Sequence, residues 1–155
     1  MIDGGGVQRS DDVIRWFFAE QRRQSTSRRL ARLERAEADL RLCLERFAGE
    51  LLTRQELALL ALERQFVPEG AVARIAGVDA VLLLLPIYLD EPRYHGEDLE
   101  DRKLRIRLAD AMAREVLRVP ALREPAIARA AWIVDAAVQH ATWLYRQERE
   151  ASRDW

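Results

Sequence analysis

Ala80-Val81-Leu82-Leu83-Leu84-Leu85-Pro86-Ile87-Tyr88-Leu89 is the most apolar run of this 155-residue chain and contains no charged residue. Ten residues are too few to cross a bilayer, which takes about 20. A helix that is apolar on every side is stable only with other helices around it, so the run predicts the centre of a helical bundle. Pro86 has no amide hydrogen and its ring crowds the preceding turn, so a kink is expected near it.

The flanking sequence continues in helical period. Pro68 suits a first helical turn, and Val72, Ile75 and Val78 lead from it into the apolar run. Upstream, Thr53-Arg54-Gln55-Glu56 has the spacing of a capping box, in which two side chains reciprocally satisfy the first free amides of a helix. Leu57 to Leu62 follow it, predicting a short helix that ends near Phe66. A longer helix is predicted from Ser27 to about Ala48, with Leu30, Leu33, Leu40, Leu44 and Phe47 on a narrow seam of the coiled-coil kind that Glu37 interrupts. Gly49 is its expected stop. Asp11 or Asp12 can cap a first helix carrying Val13, Ile14, Trp16, Phe17 and Phe18.

Downstream, a helix over about 97–119 places Leu104, Leu108, Met112 and Val116 on one face. A final helix from about Pro125 to Glu150 presents Ile127, Ala130, Val134, Val138, Ala141 and Tyr145. Strand-like alternation, tight hairpin signals and internal repeats are all missing. The chain therefore reads as all-α: a single-domain bundle of five or six helices over residues 11–150, with a flexible tail at 1–10 and a short one at 151–155.

Composition narrows the function classes. Hydrophobic residues make up 49% and charged residues 33%, enough for one core and its cover. The 25 basic and 26 acidic residues leave a net charge of −1. A protein that coats DNA needs a strongly positive field instead. All the basic residues except Lys103 are arginine. Cys43, the single cysteine, lies between Leu42 and Leu44 and reads as a small buried hydrophobe. The first ten residues are glycine-rich and polar, without an apolar signal region, so a cytoplasmic location is expected.

Two local patterns invite a chemical reading and fit an ordinary one better. Ala73-Arg74-Ile75-Ala76-Gly77-Val78-Asp79 resembles the turn of a helix-turn-helix DNA reader. A recognition helix, however, offers polar side chains to the groove, and here Ala80 to Leu85 would stand in that place. The stretch Asp90 to Asp101 gathers carboxylates with His95. Glu97, Asp98, Glu100 and Asp101 are better read as acids favoured by the dipole of a first helical turn. Asp98 and Asp101 also stand four residues before Arg102 and Arg105, the spacing of helical ion pairs. Arg93, Tyr94 and His95 are expected to be exposed loop contacts. No nucleophile elbow, phosphate loop or zinc-helix motif is present, so no catalytic residue, cofactor or metal ligand is assigned.

Two surfaces remain as candidates. On the final helix Trp132, Asp135, Gln139, His140, Trp143 and Arg146 share a side distinct from the Ile127–Val134–Val138–Ala141 side. Tryptophan and arginine together are the composition of an interface hot spot. Arg22, Arg23, Arg28, Arg29, Arg32 and Arg35 form a basic stretch, with no acid between Glu20 and Glu34, suited to a phosphate backbone. The leading expectation is a non-enzymatic interaction or regulatory module that binds a partner protein or itself. The alternatives are a subunit of a nucleoprotein complex using the arginine stretch, and a ligand-sensing bundle with an aromatic pocket near Pro86.

Overall fold

The structure is a computed structural model, which describes residues 8–90, 97–118 and 125–154. It is all-α: α1 (Ser10–Arg23), α2 (Ser27–Arg46), α3 (Ala48–Leu51), α4 (Arg54–Glu63), α5 (Ala71–Ile75), α6 (Val78–Asp90), α7 (Leu99–Val116) and α8 (Pro125–Ala151). Among the described residues there is no strand, only an isolated antiparallel bridge between Arg9 and Gly77. No described helix is long and apolar enough to cross a membrane. The chain gathers into two compact units, one ending at Leu84 and the other starting at Leu85. Helix α6 begins in the first unit and ends in the second.

In the first unit, α1 and α2 form a hairpin. Val13, Ile14, Phe17 and Phe18 of α1 are buried, and the two phenylalanine rings meet edge to face with centroids 5.5 Å apart. Asp12 starts α1 from inside its first turn, its carboxylate accepting from the Arg9 amide at 3.0 Å. The buried seam of α2 is Leu33, Ala36, Leu40, Cys43 and Leu44. Glu37 does not break it, because Ala36 takes the apolar position. Glu37 instead pairs with Arg22 of α1 and with Arg41 at 3.2 Å, and Arg41 reaches back to Asp11 at 2.8 Å. Gly49, expected to end α2, lies inside the one-turn α3.

The Thr53–Glu56 capping box forms as predicted. Thr53 Oγ1 accepts from the Glu56 amide at 3.2 Å, and Glu56 Oε1 accepts from the Thr53 amide at 3.0 Å. Helix α4 stops at Glu63, earlier than expected. The connection to α5 is held by Arg74, whose guanidinium donates to Glu63 Oε1, Glu69 O and Val67 O at 2.9, 2.7 and 2.6 Å. Gly70 enters α5 at φ +71°, a conformation that costs other residues about 1 kcal/mol or more.

The single helix expected from Pro68 to Leu89 is broken into α5 and α6 at Ala76–Gly77. The break is stable because distant residues satisfy its backbone. Glu56 Oε2 accepts from the Gly77 amide at 3.1 Å. The Ser10 amide donates to Ala76 O at 2.9 Å, and the Ser10 hydroxyl donates to Gly77 O at 2.7 Å. Ser10, the last residue assigned by composition to a tail, is held by two of these bonds and is fully buried. In α6 Val78, Ala80, Val81, Leu82, Leu84, Leu85 and Tyr88 are buried, while Leu83 is 43% exposed.

In the second unit, Asp98 caps α7 by accepting from the Asp101 amide at 2.7 Å. The predicted face is buried: Leu104, Leu108, Met112 and Val116. Helix α8 runs antiparallel to α7, since Arg102 near the start of α7 pairs with Glu148 near the end of α8. Arg105 is 5% exposed, paired with Glu97 and lying 5.8 Å over the Tyr88 ring.

Candidate interaction face on α8

Helix α8 is 27 residues long, and only Ala130 and Val134 are buried on it. Ile127, Ala131, Val138, Ala141 and Tyr145 are half-buried. Together they form one stripe at the period of about 3.6 residues, the side that packs on α7. The opposite side carries Trp132, 72% exposed, and Trp143, 56% exposed. A single exposed apolar side chain is unremarkable. Two exposed indoles in line on one helix, with exposed Ile133 and Leu144 beside them in sequence, concentrate apolar surface on the outer side of α8, the kind of feature that marks contact surfaces.

The six residues singled out from the sequence are all exposed on this helix. Gln139 Nε2 donates to Asp135 Oδ2 at 2.8 Å, one turn away. The His140 ring stacks against Trp143, with centroids 6.3 Å apart and planes 17° from parallel. Both pairs fix side-chain rotamers on the outer face, which lowers the entropy lost when a partner docks. Trp132 and Arg146 lie on the same side one turn beyond these pairs at either end. Sequence reasoning missed Ile133 and Leu144, which add to this apolar surface, and Arg129 and Glu150, which stand at its ends. Their spacing from the tryptophans was the available signal.

The arginine stretch is less free than its sequence suggests. Arg22 pairs with Glu37, and Arg23 with Glu20. Arg32 and Arg35 are engaged within the chain as well. Arg28 is exposed and Arg29 half-buried. Arg93, Tyr94 and His95 lie outside the described residues. Of the acidic stretch, Glu97 holds Arg105 and, at 3.7 Å, Arg102. No cluster of three or more possible metal ligands occurs among the described residues.

The turn that resembles a DNA reader exists at Ala76–Gly77, but the helix after it is largely buried. A second group of exposed apolar residues lies in the first unit, where Leu59, Leu62, Phe66 and Val67 are 44%, 54%, 76% and 49% exposed. Comparison of the chain with protein-family models, curated proteins and solved structures found no match.

Proposed function

We propose that this chain is a non-enzymatic helical interaction module, regulatory in role and cytoplasmic, that works by holding another polypeptide against the outer face of α8. One observation carries the reading: a 27-residue helix leaves Trp132 and Trp143 exposed on the side away from α7. Each indole removed from water by a partner contributes a large apolar area at little entropy cost. Arg146, on the same side, adds a planar donor that stacks on aromatic rings or pairs with carboxylates. Within this reading α6 bends at Pro86, whose missing amide leaves the Leu82 carbonyl without its helical donor.

The test is the double substitution Trp143→Ala and Arg146→Ala, followed by native mass spectrometry of gently purified protein. Its association should weaken by about 2 kcal/mol, roughly thirtyfold in Kd. The thermal unfolding curve should stay near that of the parent, because both side chains are exposed. Undiminished assembly by a folded double variant would remove this face from consideration. The nucleoprotein reading ranks second, since Arg22 and Arg23 already hold carboxylates of their own chain.

A further inference from the structure

We propose that the occupant of the α8 outer face is α8 of a second copy, lying antiparallel about a two-fold axis that passes between Gln139 and His140. This rests on the interaction-module reading above and goes further by naming the partner and the register. The seam is Pro125, Arg129, Trp132, Ala136, Gln139, Trp143, Arg146 and Glu150, spaced alternately by four and three residues. That is the repeat with which one helix covers another along a narrow line. It lies opposite the Ala130–Val134 stripe used by α7.

The contents of the seam select both partner and direction. A two-fold interface must be self-complementary, each contact occurring twice. About the stated axis, Arg129 of one copy faces Glu150 of the other, and Ala136 faces Trp143. The first pair matches opposite charges. The second sets a large ring against a methyl group, the alternation by which facing layers interdigitate. Arg129 and Glu150 are both exposed, and neither side chain has a hydrogen bond or ion pair among the described residues. Both charges are therefore available to a second molecule. Arg146 falls beside the second copy's Trp132, where a guanidinium can lie over the indole face.

Other registers fit worse. A parallel in-register pair sets Arg129 on Arg129 and Glu150 on Glu150. An antiparallel pair shifted to bring Trp132 opposite Trp143 sets Arg129 opposite Arg146. Like charges in direct opposition disfavour both arrangements.

The experiment uses the full chain and two charge reversals, Arg129→Glu and Glu150→Arg, read by sedimentation velocity and native mass spectrometry. The parent is expected to be a dimer. Each variant alone should dimerise more weakly by roughly tenfold or more, since two attractive contacts become two repulsive ones. An equimolar mixture of the two variants should recover a dimer containing one of each, because every charge then faces its opposite. Circular dichroism of each variant should match the parent.

A monomeric parent, unaffected single variants, or a mixture that stays monomeric would each overturn the pairing. A photo-crosslinking residue at Gln139 separates this failure from failure of the broader reading. Adducts to a different protein, with no self-adduct, would leave the interaction module standing and remove the homodimer. No protein adduct at all would remove both.

Discussion

The two carboxylate oxygens of Glu56 accept from different backbone amides, that of Thr53 at the start of α4 and that of Gly77 in the turn before α6. Thr53 Oγ1 serves only the local half of the arrangement. The two residues should therefore differ in weight although both belong to one capping box. Thr53→Ala should cost about 1 kcal/mol, an ordinary N-cap loss. Glu56→Ala should cost about 2 kcal/mol or more, because it also strands the half-buried Gly77 amide. Urea denaturation of the two variants measures the order, and equal losses would mean that the Gly77 bond contributes nothing. The same contrast separates what could be read in advance from what could not. The local pair was legible from its three-residue spacing. The long-range bond was not, since nothing in the sequence near Gly77 announces a partner at Glu56 or at Ser10.

Among the elements, α7 and α8 were the most legible, because their apolar residues recur at one period and each helix has a clear start. The Ala76–Gly77 break and the one-turn α3 were not, since both depend on packing and on bonds to distant residues rather than on local preference. The α8 face was legible only as a composition. Apolar residues occur on both sides of that helix, and periodicity alone does not say which side α7 covers.

The α7–α8 pair also contains a charged group with an energetic consequence. Arg105 is buried, and Glu97 is its acidic partner. Removing one member of a buried ion pair strands the other charge away from water. Glu97→Gln should therefore lower stability by about 3 kcal/mol. Glu148 pairs with Arg102 but its side chain is 52% exposed, so Glu148→Gln should cost less than about 1 kcal/mol. Chemical denaturation distinguishes these values, and a loss for Glu148→Gln as large as that for Glu97→Gln would contradict the burial argument.

For the whole molecule, charge is nearly balanced at −1, and its basic stretch is partly neutralised from within. Binding to single- or double-stranded nucleic acid at low salt should accordingly be weak, with a shallow dependence on salt concentration. A steep dependence, of the kind produced by many phosphate contacts, would instead place function on the Arg22–Arg35 stretch. Fluorescence anisotropy with labelled oligonucleotides across a salt series gives the slope directly.

Cys43, on the buried seam of α2, is 1% exposed and is the chain's single thiol. A buried structural cysteine is slow to react. The native chain is in effect already blank for thiol chemistry. A cysteine introduced at an exposed position outside the α8 seam can then carry a dye or spin label at one known place, with no native cysteine removed first. Distance measurements between labels on two copies would follow from that without further engineering.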